Sequence, residues 1–393
     1  MNTRTMFFRH LAQTSLFPVA LEIERAKGIY MYGRDGKRYL DMISGISVSA
    51  LGHLHPEVIK AVQEQLEKYM HLMVYGEFVQ DPQVELAALL TSCLPGSLDN
   101  VYLVNSGSEA IEGAMKLAKR YTKRSEIISF YNAYHGSSHG ALSVTGNERL
   151  KQAFRPLLPG VMHLNYNQVD ELSGITERTA CVLAETIQGE AGAIVPDHAF
   201  LKALRQRCNE TGTLLIFDEI QAGMGRTGTM WAFEDSGVIP DVLVLAKSFG
   251  GGLPLGAFIA GKQIMECLTD NPVLGHITTF GGNAVCAAAA RASLQVILKE
   301  KLWENAASME QILRTELKHP AILEIRGKGL LLAIELDGFE KVKALMELCI
   351  ARGLVTDWFL FADHCIRIAP PLIITQSQMK EATGIIMECL DQI

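Results

Sequence analysis

The chain has 393 residues, long for a single core, which points to about two domains. Hydrophobic residues make up 48% and charged residues 20%, the balance of a soluble globular protein. A formal net charge of −7 argues against broad nucleic-acid or membrane-surface binding, and no apolar run approaches the roughly 18 residues of a membrane span.

The opening stretch, MNTRTMFFRHLAQTSLFP, carries Arg4 and Arg9 and no acid before Glu22. Its charge is that of a weak transit peptide, but it lacks a secretory apolar core and a small-residue cleavage site. An N-terminal arm packed on the protein is therefore expected. Residues 28–44, GIYMYGRDGKRYLDMIS, read as a small hairpin around Asp35-Gly36. Residues 55–70, HPEVIKAVQEQLEKYM, have helical spacing. The His53/His55 pair has no further ligand cluster nearby and marks a turn before that helix rather than a metal site. From residue 101 short apolar runs alternate with helical stretches. VYLV (101–104) precedes SEAIEGAMKLAKRYT, then come EIISF (126–130) and ACVLAE (180–185). HAFLKALRQRCNETG leads into TLLIFDE (213–219), and DVLVLAK (241–247) follows. Strands alternating with helices imply an α/β fold, a mostly parallel sheet covered on both faces. From about residue 290 long helical segments dominate, with strand candidates at 321–336 and 364–370, the pattern of a smaller α+β domain. The expected division is a large domain over 51–285, with 286–393 as a small domain that the N-terminal segment 1–50 joins. The cysteines at 93, 181, 208, 267, 286, 349, 365 and 389 form no C-x-x-C pair. Buried free thiols in a reducing cytoplasm are the expectation.

Ligands of a parallel α/β sheet bind beyond the carboxyl ends of its strands. VYLV is followed by Asn105-Ser106-Gly107-Ser108 and then a helix beginning near Glu109. Free backbone N–H groups and hydroxyls at a helix start suit a phosphate, although Ser108 is equally a candidate N-cap. TLLIF ends in Asp218-Glu219, and an acid after a buried strand needs a cationic partner. VLVLA ends in Lys247, followed by Ser-Phe-Gly-Gly-Gly. A phosphate loop has its glycines before the lysine, so that reading fails. A lysine in a mainly apolar setting has its pKa lowered and becomes a candidate Schiff-base nucleophile. Phosphate site, acid and lysine on one sheet edge are the trio that pyridoxal 5′-phosphate requires.

The chain also resembles the class III aminotransferases of fold type I, the ornithine, acetylornithine and 4-aminobutyrate type. The likeness runs through GHLHPEV, NSGSEA, YHG, IQGEAG, IFDEIQAGMGRTG, AKSFGGGLPLGA, TTFGGN and RIAPPL, nearly the whole chain. The resemblance implies that Lys247 binds the cofactor and shuttles a proton, and that Asp218 pairs with the ring nitrogen. Gln221 would reach the ring hydroxyl, and Ser106, Gly107 and Ser108 would hold the phosphate. Tyr134 would stack on the ring, and Glu185 would line the site. Thr279 would reach the phosphate of a neighbouring subunit, implying a homodimer with shared sites, or a dimer of dimers. Arg367 would grip the carboxylate of the oxo-acid acceptor, with Glu190 neutralising it when an amine end occupies the site.

Two positions depart from the family pattern. Ser137 stands where such enzymes carry an arginine that binds the donor's distal carboxylate, and Ile46 stands where ornithine-type members carry a tyrosine. A serine supplies no charged fork, so the expected donor is a diamine, a simple ω-amine or a β-amino acid. An acetylornithine-type donor is the alternative, and an aminomutase, racemase or phospholyase on the same scaffold is a further one. A non-catalytic binding protein is the remaining class, which the intact trio disfavours.

Overall fold

The structure, a computed structural model, describes residues 2–16 and 18–393. Met1 and Phe17 of the expected N-terminal arm lie outside the described residues. The arm itself departs from expectation. Its Thr3–His10 helix buries none of its residues, and Arg4 donates to the Ala20 carbonyl at 3.0 Å.

Strands β1 (Ile23–Lys27), β2 (Tyr30–Gly33) and β3 (Arg38–Asp41) follow, with β2 and β3 forming the hairpin at Asp35-Gly36. The middle of the chain supplies β4 (Asn100–Val104), β5 (Glu126–Phe130), β6 (Val161–Leu164), β7 (Thr179–Glu185), β8 (Leu214–Asp218), β9 (Val242–Leu245) and β10 (Gly256–Ala260). They form one seven-stranded sheet in the order β4-β10-β9-β8-β7-β5-β6. β10 alone runs antiparallel to its neighbours β4 and β9. The other pairings in this sheet are parallel, as the alternation of strands and helices requires. β6 and β10 escaped the sequence reading. VMHL is short and carries a histidine, and GAFIA follows directly on a Gly/Pro-rich run that reads as loop.

The last part adds β11 (Glu324–Lys328), β12 (Leu331–Glu335), β13 (Leu354–Val355), β14 (Asp357–Phe359) and β15 (Ala362–Ile368). β11, β12, β15 and β14 make an antiparallel sheet in that order. β13 instead pairs in parallel with β3, Leu354 opposite Leu40. The N-terminal hairpin and the C-terminal region thus share a sheet. The Ala-rich helix Ala284–Glu300 packs against the helices Pro56–Leu66 and Asp81–Ser92, its small side chains allowing close approach.

The core lies on both faces of the central sheet. Val242, Leu243, Val244 and Leu245 of β9 are fully buried, each worth about 1.5–3 kcal/mol of apolar burial. Burial of this order fixes β9 between β8 and β10 and holds the chain that follows at the sheet's carboxyl edge. Five cysteines are buried and three half-buried, and all eight are free thiols.

Candidate active site

A cavity of about 480 Å³ opens at that edge, walled by the loops that follow β4, β5, β7, β8 and β9. After β4 the chain enters the helix Gly107–Thr122. Its cap is Ser106, whose Oγ accepts from the Glu109 N–H at 3.2 Å, so the helix starts two residues before the expected position. Ser108, not needed as a cap, accepts from the Ser137 N–H at 3.2 Å. The amides of Gly107 and Ser108 open the helix, where no intrahelical carbonyl reaches them. With the helix dipole they form an anion cradle. Gly136 closes it from the other side. Its φ is +130°, and a Cβ there would lie 2.1 Å from Ser108 Oγ, so both conformation and space require glycine.

β8 delivers Asp218, which is 4% exposed. One oxygen accepts from the Ile220 N–H at 2.9 Å, and the other meets His135 Nδ1 at 2.8 Å. His135 Nε2 lies 3.2 Å from Ser129 Oγ. The register of β7 on β8 sets Glu185 directly beside Asp218. Burial and then the Asp218 charge push the Glu185 carboxyl up to about 8, while the N–H groups of Tyr134 and Gly189 hold it at 2.9 and 2.8 Å.

β9 delivers Lys247. Its setting is not the apolar one that the strand suggested, because Glu190, Asp218 and Glu185 all act on it. Burial nonetheless lowers its pKa. Glu190 opposes that shift, and Arg367 reinforces it. The backbone at Lys247 has φ +50°, a left-handed conformation rare for a side-chain-bearing residue. Next to it, Ser248 Oγ donates to the Ser47 carbonyl at 2.6 Å. That bond anchors a second strained stretch, Ser44 to Ser47, in which all four residues have positive φ.

Glu190 and Arg367 form a bidentate pair, Nη1 to Oε1 and Nη2 to Oε2 both at 2.9 Å, and are 5% and 2% exposed. The Leu360 N–H adds a bond to Glu190 at 3.0 Å. Gln221 Nε2 donates to Glu190 at 3.3 Å, leaving its buried Oε1 without a partner. Burial raises the Glu190 pKa, but Arg367 outweighs it and the net shift is downward.

The cavity therefore gathers Ser106, Gly107, Ser108, Tyr134, Glu185, Glu190, Asp218, Gln221 and Lys247. Arg367 stands behind Glu190. Ser137 is exposed at the rim, its hydroxyl 3.1 Å from Tyr134 Oη. Ile46 does not line the cavity; its neighbour Val48 does. Thr279 is exposed and does not line it, although its neighbour Thr278 accepts from the lining residue Asn105 at 3.1 Å. Sequence reasoning missed His135, although it sits inside the YHG motif, because a histidine next to a stacking tyrosine gives no sign of a buried acid as partner. His53 Nε2 lies 2.9 Å from Asp41 Oδ2. Glu335, His364 and Cys365 bring potential ligand atoms within 4.8 Å, but Arg326 already pairs with Glu335 and donates to Cys365.

These residues fit pyridoxal 5′-phosphate. The cradle suits its phosphate, the orphaned Gln221 Oε1 suits the ring hydroxyl, the buried Asp218 carboxylate suits a protonated ring nitrogen, and Lys247 Nζ suits the aldehyde. Fold and cavity define a pyridoxal-phosphate-dependent enzyme of fold type I. The family model described as aminotransferase class-III matches residues 12–390, and the chain belongs to that family. It is 37% identical to the acetylornithine aminotransferase of Methanopyrus kandleri, over 97% of this chain and 96% of that one. It is 39% identical to the [LysW]-aminoadipate semialdehyde/glutamate semialdehyde transaminase of Sulfurisphaera tokodaii, over 93% of each. The crystal structure of the ornithine aminotransferase from Toxoplasma gondii ME49 superposes with a TM-score of 0.92 at 30% identity, covering 100% of this chain and 96% of that one.

Proposed function

We propose that this aminotransferase moves the ω-amino group of an acetylornithine- or ornithine-type donor to a 2-oxo acid such as 2-oxoglutarate, in two alternating half-reactions. The relatives support this donor better than the simple amine inferred from Ser137, since acetylornithine aminotransferases recur among them at 35–39% identity. The observation that carries the acceptor is the buried Glu190–Arg367 fork beside Lys247.

When bound, pyridoxal 5′-phosphate supplies an electron sink that acidifies the donor's C–H bond. Lys247 Nζ, with its pKa lowered by burial, holds the cofactor and then takes the proton from the donor carbon. Asp218, oriented by His135, keeps the ring nitrogen protonated. Gly107 and Ser108 hold the phosphate, assisted by Ser106, which fixes the helix start. Gln221 meets the ring hydroxyl, Tyr134 covers the ring face, and Glu185 supports the wall. Glu190 neutralises Arg367 while an amine end occupies the site and turns aside to let Arg367 grip the acceptor's carboxylate.

A homodimer with shared sites belongs to the same proposal. Leu72, Met73, Phe78, Val79, Ile277 and Phe280 are exposed around Thr279, Val79 to 93%. His71 touches Phe280, and Phe78 and Thr278 line one groove, so a second copy that covers these segments would receive Thr279. The shared sheet of β3 and β13 supports a small domain built from both ends of the chain. A cytoplasmic location accords with the eight free thiols.

One observation favours a second reading. Among the described residues Lys247 is the only lysine or arginine lining the cavity, which leaves no clamp for a donor carboxylate in one subunit. A donor without that carboxylate, such as a diamine, would need none. A panel of acetylornithine, ornithine, 4-aminobutyrate, putrescine and β-alanine against 2-oxoglutarate separates the two. A higher kcat/KM for acetylornithine than for putrescine supports the first reading, and the reverse order the second. Product formed without an oxo acid would instead indicate an aminomutase or lyase.

A further inference from the structure

Glu190 is not the only acid on Arg367. The register of β14 on β15 sets Asp357 directly opposite Arg367, and Asp357 Oδ1 lies 3.1 Å from Arg367 Nε. The contact is an ion pair without an aligned hydrogen bond, since both atoms lack a hydrogen-bond partner. The rest of the guanidinium is also committed. Nη1 and Nη2 grip Glu190, Nη2 also donates to the Trp358 carbonyl at 3.2 Å, and the ring of Phe359 lies 4.4 Å from the guanidinium carbon.

The two acids differ in placement. Glu190 lines the cavity from a loop. Asp357 is fixed across a strand pair and stays when Glu190 leaves. An incoming carboxylate then meets a neutral Arg367–Asp357 pair rather than a bare cation. We propose that Asp357 is a positioning residue that tunes acceptor binding: by neutralising Arg367 it weakens the grip on the acceptor's carboxylate and makes that grip depend on proton uptake from solvent. This inference rests on Arg367 being the acceptor clamp.

The electrostatics agree. Burial pushes the Asp357 carboxyl up to about 6, Arg367 opposing, with Glu190 and Asp41 adding to the rise. Asp41 is itself held by His53 and by the N–H groups of Ile43 and Ser44. Lys247 and Glu185 also interact with Glu190 within the cavity. An acceptor carboxylate beside Asp357 takes over the effect of the displaced Glu190 and raises the Asp357 pKa further to the extent that Glu190 stays within reach. By linkage, binding takes up a proton and tightens as pH falls toward 6.

The test uses the cofactor-loaded enzyme and glutarate, a dicarboxylate that cannot react. Titration calorimetry at pH 6.5 in two buffers of different ionisation enthalpy reads both affinity and proton uptake. Wild-type enzyme should take up a fraction of a proton. Asp357→Asn should take up less and bind glutarate about tenfold tighter, because the competing charge is gone. The KM for 2-oxoglutarate should fall relative to that for the amino donor, whose amine end leaves Arg367 to Glu190; a merely structural defect would move both. Asp357→Ser serves if the asparagine variant fails to fold. Unchanged affinity and proton uptake in a folded variant overturn the proposal. Arg367→Lys separates its foundation: if that variant binds glutarate as wild type does, the acceptor clamp itself is wrong and the inference falls with it. If Arg367→Lys loses glutarate while Asp357→Asn matches wild type, only the role of Asp357 fails.

Discussion

Lys247 combines two costs, a charged group in a closed site and a left-handed backbone worth on the order of 1–2 kcal/mol. Both persist because the surroundings over-determine them. Buried β9 precedes the lysine, and Ser248 pins the chain after it to Ser47. The same scale decides the donor. Ser137 is exposed beside Tyr134 and has room to grow. Ser137→Arg would supply the missing fork, and kcat/KM for acetylornithine should rise about tenfold while that for putrescine does not. Steady-state kinetics with both donors checks this. An equal change for both would mean that the position does not read the carboxylate.

At the scale of elements, β8 ends in Asp218 and Glu219 follows it directly, and the two adjacent acids have opposite fates because side chains alternate along extended chain. Asp218 faces the cavity. Glu219 turns away and accepts the N–H groups of Ala232 and Phe233 at 2.9 and 2.6 Å. Burial pushes its carboxyl up to about 8. A carboxyl whose folded pKa exceeds its ordinary value of about 4.3 contributes stability that is complete below that value. The contribution is lost as pH rises through about 8. The melting temperature of the wild type should therefore drop between pH 6 and 9, and Glu219→Gln, which removes the titration but keeps only one of the two acceptor oxygens, should flatten the fall from a lower starting point. Parallel melting curves for the two proteins in scanning calorimetry would contradict it. Asp218 was legible in the sequence because an acid closing an apolar run is anomalous. Its tie to His135 was not, since β5 and β8 are brought together only by the sheet order through β7. Similarly, β6 and β10 are too short and too close to loop-like residues to declare themselves, and Asp357 lies in DWF, a segment whose pairing to β15 only the folded register reveals.

For the whole molecule, the alternation of strands and helices was enough to read a parallel sheet with its ligands at one edge, because that topology leaves few alternatives. What one chain cannot supply is the surface around Thr279. If a second copy covers it, the enzyme should sediment as a dimer or larger. Replacing Ile277 and Phe280 with lysine should then yield monomers that bind cofactor more weakly, as measured by analytical ultracentrifugation with absorbance detection of the cofactor. Unaltered association would place the interface elsewhere.

The central claim, that Lys247 is the covalent anchor of a class III aminotransferase site, is tested most directly by borohydride reduction of the cofactor-loaded enzyme followed by peptide mass spectrometry. The reduced cofactor should be found on the peptide containing Lys247, and Lys247→Ala should carry none while losing at least about 10²–10⁴-fold in turnover. Label on another lysine, or undiminished turnover in Lys247→Ala, would contradict the account.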